Sequence, residues 1–257
     1  MSRDVFEIFS SLRYDPSLLD VFSRHGPGHP DSLLSPYYLL AYHQDRLRAA
    51  AHHFQWYRAL EWLQQDLKSF QQSLDASITD RGRPWRLRVV LDSNGIGTVD
   101  VNPTADIDPT NLLIPSLHIS RAAPVWRVHV DTQYIIPSGL TTHKTTARED
   151  YTAARLRAGI KSFTETAEVL TVNPDGEIME GSITTPYFLR QGTRAAETER
   201  DPDQAGPMWI TPPLASGGNA GTTRRYALSQ GFCVEQKITR AELMDGESCW
   251  LSNGVRG

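Results

Sequence analysis

Between Tyr37 and Leu74 the apolar residues Leu39, Leu40, Leu47, Ala50, Ala51, Phe54, Tyr57, Leu60, Leu63, Leu67 and Phe70 recur at intervals of three and four. On both sides of that block the period drops towards two. A face repeating every 3.6 residues must be buried as helix, and one repeating every two as strand, so the chain has to fold as a mixed α/β structure. Phe6 to Leu12 reads as a short strand ended by the turn chemistry of Tyr14-Asp15-Pro16-Ser17, and a loop rich in Gly, Pro and Ser is expected from there to Pro36. Trp85 to Leu91 and Gly97 to Val101 read as a hairpin, and Val125 to Ile136 as a further strand.

The alternation stops at Ile136-Pro137-Ser138-Gly139, where a boundary is placed between lobes 1–136 and 137–257. Beyond it a Thr-rich stretch leads into a helix through Tyr151, Ala154, Leu156 and Ile160. Then come a strand at Glu168 to Val172, a tight turn at Asn173-Pro174-Asp175-Gly176, and a returning strand from Glu177 to Leu189 bent at Gly181. Gln191 to Pro207 is charged and reads as a mobile loop. Met208 to Thr211, Phe232 to Ile238 and Cys249 to Leu251 read as strands, with a helix from Thr222 or Thr223 to Gln230 and a capped turn at Thr239 to Leu243. Mixed elements in two blocks predict two α/β or α+β lobes with any small-molecule site between them.

Composition removes several classes of function. A chain of 257 residues with net charge −4 is not built to neutralise a phosphate backbone, so no nucleic-acid partner is expected. The longest apolar runs fall short of the roughly 18 residues of a membrane span, and the opening Met-Ser-Arg-Asp lacks an export signal's apolar core. Cys233 and Cys249 are too few for a disulfide framework, which favours a reducing, cytoplasmic setting. His52 and His53 are adjacent on a helix and cannot share a face, so no metal site is assigned.

Of 26 basic residues only four are lysines. Lys68, Lys161 and Lys237 lie in polar settings, whereas Lys144 follows an apolar strand among small hydroxyl residues with room for a bound group. It reads equally as a reactive amine or as a loop lysine. Gly217 to Gly221, followed by Thr222 and Thr223, opens a helix: either its N–H groups and hydroxyls hold a phosphate, or a threonine merely caps the helix. Glu180, among apolar residues, needs a cationic or hydrogen-bonding partner, in a structural ion pair or on the protonated nitrogen of a ring. Ser252-Asn253-Gly254 reads as a turn or as an anion contact.

Taken in order, these segments resemble the class IV, fold type IV pyridoxal-phosphate aminotransferases, most closely their fungal aminodeoxychorismate-lyase-like members. Phe6-Glu7-Ile8-Phe9 is similar to the family's N-terminal strand, and His43-Gln44-Asp45-Arg46-Leu47 to its His-x-x-Arg-Leu helix. His143-Lys144-Thr145-Thr146 with Tyr151 and Ala154-Arg155 is similar to the lysine segment. Glu180-Gly181-Ser182 is similar to the Glu-Gly-Ser strand, with Pro186 where asparagine is usual, and Gly221-Thr222-Thr223-Arg224 to the Gly-x-Thr-Arg turn. The resemblance implies a two-lobed fold with pyridoxal 5'-phosphate in the cleft. It implies Lys144 as Schiff-base lysine, Glu180 on the pyridine nitrogen, and Arg46, Thr222, Thr223 and Asn253 on the phosphate. It also implies a homodimer. The ending Ser252-Asn253-Gly254-Val255-Arg256-Gly257 is closer to the lyases than to the aminotransferases. The expected reaction is therefore release of 4-aminobenzoate and pyruvate from 4-amino-4-deoxychorismate, with Arg13 and Arg256 on the substrate carboxylates. Transamination of D-amino acids, branched-chain amino acids or amines is the alternative enzyme reading. A degenerate family member that binds cofactor without turnover is the non-enzymatic one.

Overall fold

A computed structural model describes residues 6–25, 35–114, 125–191 and 206–257. Strand β1 (Ile8–Tyr14) is buried at six of its seven positions. Helix α1 (Leu18–His25) follows directly, where the sequence reading has a loop. The turn residues that suggested the loop start the helix instead: Asp15 Oδ1 accepts from the N–H and hydroxyl of Ser17, and Leu18 is fully buried beneath Tyr38, Leu39, Leu112 and Tyr226. The helical block is three helices, α2 (Leu40–His53), α3 (Tyr57–Leu63) and α4 (Leu67–Asp75), the last capped by Asp66 accepting from Ser69 N–H.

Strands β2 (Trp85–Leu91) and β3 (Gly97–Pro103) complete an antiparallel sheet in the order β1-β2-β3. Its inner face meets α2 and α4 in a core containing Ile8, Leu12, Leu47, Phe70, Leu74 and Leu87, each at most 1% exposed. Burial of each such side chain contributes about 1.5–3 kcal/mol.

The second half begins with β4 (Arg127–Tyr134), then α5 (Gly139–Thr142), α6 (Glu149–Arg157), β5 (Ala167–Val172), β6 (Ile178–Gly181), β7 (Thr185–Arg190) and β8 (Met208–Thr211). Helix α7 (Thr222–Ser229), β9 (Cys233–Glu235) and β10 (Cys249–Ser252) end it. They build two sheets, β4-β5-β6 and β10-β7-β8-β9. Since β4 runs parallel to β5 and bonds to it, a division after residue 136 separates two strands of one sheet, whereas one ahead of Arg127 keeps that sheet whole.

The returning strand expected from Glu177 to Leu189 is two strands in different sheets. The buried carboxylate of Glu168 divides them by accepting from the N–H groups of Ser182 and Ile183 and from the hydroxyls of Ser182 and Thr184. The strand expected over Phe232 to Ile238 stops at Glu235. Residues 192–205 of the expected mobile loop lie outside the described residues.

β1 is an edge strand whose outer side is closed by the second half of the chain. Phe9 N–H donates to Lys144 O (2.9 Å), Thr146 N–H to Glu7 O (2.8 Å) and Arg13 N–H to Gly254 O (3.1 Å). The lysine segment and the C-terminal turn are therefore fixed to the strand that carries Ser10.

Candidate active site

Lys144 leaves α5 in an extended segment held by that backbone ladder and is partly accessible. Its Nζ lies 5.3 Å from the Phe9 ring centroid and has no ion pair or hydrogen bond among the described residues. Burial, with Arg148 and Arg46 pushing the same way and Glu180 and Glu168 opposing, holds its pKa well below the ordinary lysine value. This favours the neutral, nucleophilic amine.

Glu180 on β6 accepts at Oε1 from the Tyr151 hydroxyl at 2.6 Å. Burial raises its pKa, against Arg148, the Tyr151 hydrogen bond and Lys144. The Gly217 to Gly221 loop packs directly on this strand: a Cβ on Gly218 would collide with Met179 O and stand 3.2 Å from Glu180 Cβ. Gly217 has φ +100°, a conformation that favours glycine.

That loop delivers the N-terminus of α7. Gly221 is the N-cap and no side chain caps the helix, so the capping role open to Thr222 or Thr223 is not the one adopted. The Thr222 hydroxyl is buried and has no partner among the described residues, as do both amide atoms of Asn219. Thr223 Oγ1 accepts from Ser252 Oγ at 2.7 Å. An unpaired buried hydroxyl costs about 1–3 kcal/mol, so its persistence beside a helix N-terminus suits a site that takes an anion.

From the first half, α2 presents Arg46, buried, with Nη2 donating to Ser10 Oγ and Nε without a partner among the described residues. Burial lowers its pKa to about 10, against the attraction of Glu180. Helices α2 and α7 meet through Arg225 Nη2 and Asp45 Oδ2 at 3.3 Å and through Tyr42 Oη and Ser229 Oγ at 3.1 Å.

Three other residues singled out in the sequence are placed differently from this group. Asn253 Oδ1 accepts from the N–H groups of Val255 and Arg256, each at 3.0 Å, so its side-chain carbonyl closes its own turn. Arg13 is fully buried, 2.8 Å from Asp15 through both Nε and Nη2, and donates through Nη1 to Ala105 O. Arg256 is exposed, donates to Phe163 O at 3.3 Å and has its guanidinium 4.9 Å from the Trp126 ring centroid.

Arg148 is the site residue the sequence reading missed. Its guanidinium lies 3.7 Å from the Tyr151 ring centroid, donates to Ser182 O at 2.7 Å, and is the charge that acts most strongly on both Lys144 and Glu180. Its signal was an arginine four residues past the lysine in an otherwise hydroxyl-rich segment. Ser10, a hydroxyl in the buried run of β1, also went unremarked. Among the described residues no His, Cys, Asp and Glu group could hold a metal ion, and no helix is long and apolar enough to cross a membrane.

A family model described as amino-transferase class IV matches residues 31–257. Aminodeoxychorismate lyase of Saccharomyces cerevisiae is 33% identical over 142 residues, 51% of this chain and 35% of that protein, so the match spans about a third of that relative's length. Among solved structures, a proposed amino-acid aminotransferase from Mesorhizobium loti matches with TM-score 0.67 at 23% identity, over 98% of this chain and 96% of that one. A proposed 4-amino-4-deoxychorismate lyase from Haemophilus somnus matches with TM-score 0.58 at 16% identity, over 100% of both chains. The Escherichia coli branched-chain amino acid aminotransferase matches with TM-score 0.61 at 15% identity, over 98% of this chain and 74% of that one. At these identities the structures show a shared fold.

Proposed function

The chain belongs to the class IV aminotransferase family and has its fold, and on that premise we propose that it is a pyridoxal-phosphate-dependent 4-amino-4-deoxychorismate lyase. The observation that carries the choice of reaction is the 33% identity to the yeast aminodeoxychorismate lyase.

The residues present fit the cofactor. Arg46, the unpartnered Thr222 hydroxyl and the N-terminus of α7 suit its phosphate, with Thr223 and the Asn253 turn alongside. Glu180, aligned by Tyr151, suits its ring nitrogen, and Lys144 its carbonyl carbon. When bound, pyridoxal phosphate supplies an electron sink conjugated to the substrate nitrogen.

This chain's own part is to hold and move protons around that sink. Lys144, whose surroundings favour its neutral form, takes the proton from C4 of the substrate ring. The bond from the ring to the enolpyruvyl oxygen then breaks, the ring becomes aromatic, and the departing enol gains a proton as pyruvate. With the cofactor bound, Glu180 would stabilise positive charge on the nitrogen of the cofactor's ring. Arg13 would have to leave Asp15 to meet a substrate, so the carboxylate-binding role falls first to Arg256, which has no ion pair among the described residues.

The test is turnover of enzymatically generated aminodeoxychorismate with no keto acid added. Equal amounts of 4-aminobenzoate and pyruvate over many turnovers are expected. No 4-aminobenzoate, with visible absorption bleached by an amino acid or amine and restored by 2-oxoglutarate, would make the protein a transaminase.

A further inference from the structure

Beside Lys144, β1 and α2 contribute three buried side chains that form a continuous polar chain. Ser10 Oγ lies 2.7 Å from His43 Nδ1 and accepts from Arg46 Nη2, while the same Nη2 lies 3.3 Å from Nδ1. A guanidinium can only donate. If Nδ1 carried a proton, it would oppose the N–H of Arg46, and the Ser10 hydroxyl proton would have no acceptor among these partners. Donors and acceptors among these three side chains match in one way: Arg46 donates to Ser10, Ser10 donates to Nδ1, and the proton of the neutral imidazole sits on Nε2. Burial and the charge of Arg46 keep the ring neutral.

The far side of the ring is fixed as well. His43 Nε2 is buried without a partner among the described residues and lies against Gly254. A Cβ on Gly254 would stand 2.6 Å from His43 Cε1 and 2.9 Å from Nε2, so the glycine is what leaves room for the imidazole. Gly254 is itself held to β1, its carbonyl accepting from Arg13 N–H. The ring is thus confined between the C-terminal turn and Ser10.

We propose that His43 is a positioning residue that, as the Nε2–H tautomer, aims Arg46 through Ser10 and so confers preference for a phosphorylated ligand. Nη2 is committed to Ser10 and His43, and Nε, without a partner among the described residues, is left for an anion. This rests on the reading of Lys144, Glu180, Arg46 and Thr222 as a pyridoxal-phosphate site.

The experiment titrates cofactor-free protein with pyridoxal phosphate and, separately, with pyridoxal, which lacks the phosphate. The ratio of the two dissociation constants isolates the contribution of the phosphate, whereas general damage to the fold weakens both ligands together. His43→Phe should reduce the ratio roughly tenfold, the scale of one charge-assisted hydrogen bond. His43→Asn, which places an acceptor where Nδ1 stands, should stay within about threefold of the natural protein. Ser10→Ala should behave like His43→Phe and serves in its place should the phenylalanine variant fail to fold. Nitrogen NMR of the cofactor-free protein should show His43 Nδ1 as the imine-type nitrogen and Nε2 as the protonated one. A protonated Nδ1, or equal ratios in the natural protein and Ser10→Ala, overturns the proposal. A natural protein that binds the two ligands equally overturns the cofactor reading instead, and the NMR result then decides the hydrogen-bond chain by itself.

Discussion

The hydroxyl of Tyr151 donates to Oε1 of Glu180 across 2.6 Å, tying α6 to β6 at a carboxylate whose charge acts on Lys144. The bond favours the ionised form of an acid that burial pushes the other way. Tyr151→Phe should therefore raise the Glu180 pKa in the cofactor-free protein, readable by NMR of labelled glutamate. It should lower turnover roughly tenfold, the scale of a hydrogen bond to a charged group. Glu180→Gln should slow turnover further, since it removes the charge itself. Equal turnover in all three proteins would leave Glu180 a purely structural residue.

Lys144→Met should act in opposite directions on function and stability. With pyridoxal phosphate supplied, the variant should lack the visible absorption of the natural protein. Borohydride reduction and peptide mapping of the natural protein should find the cofactor on Lys144 and not on Lys68, Lys161 or Lys237. Without cofactor the variant should be the more stable protein at neutral pH. The folded pKa of Lys144 lies below its ordinary 10.5, so between the two values the unfolded chain binds more protons. This group therefore costs no stability through its ionisation above 10.5, and costs progressively more as pH falls towards the folded value. Thermal unfolding against pH should show that slope in the natural protein and a flatter profile in Lys144→Met.

Thr222→Val replaces a buried hydroxyl that has no partner among the described residues with a side chain of nearly the same shape. Cofactor-free stability should hold or rise by up to about 1 kcal/mol, because an unsatisfied polar group is removed. Affinity for pyridoxal phosphate should fall roughly tenfold. Loss of stability without loss of affinity would assign the hydroxyl a role inside the protein.

Asp15→Ala leaves the fully buried Arg13 guanidinium without its counter-charge and should destabilise the protein by about 3–5 kcal/mol, measured by urea unfolding. Arg256→Met should leave stability within about 0.5 kcal/mol while raising KM for the substrate. The reverse pattern, a KM effect confined to Arg13→Met, would return the carboxylate role to Arg13.

The class of the fold and most of its elements follow from local pattern, because the period of burial is a property of neighbouring residues: α2, β2, β4, β5 and α7 lie where spacing put them. Lys144, Glu180 and Thr222 were legible as chemical types in permissive surroundings, whereas Arg46, on the polar side of its helix by spacing but buried in the fold, was singled out only by the family resemblance. What stayed hidden depends on residues far apart in sequence. Asp15-Pro16-Ser17 looks like a turn whether or not a helix follows, and the burial of Leu18 under Tyr226 decides that one does. The run from Glu177 to Leu189 carries one alternating pattern, and only Glu168, through its bonds to residues 182–184, separates it into two sheets. Arg13 and Arg256 are equal candidates on paper. Tertiary structure encloses the first against Asp15 and leaves the second at the surface, because the fate of a charge depends on the partners that folding brings to it.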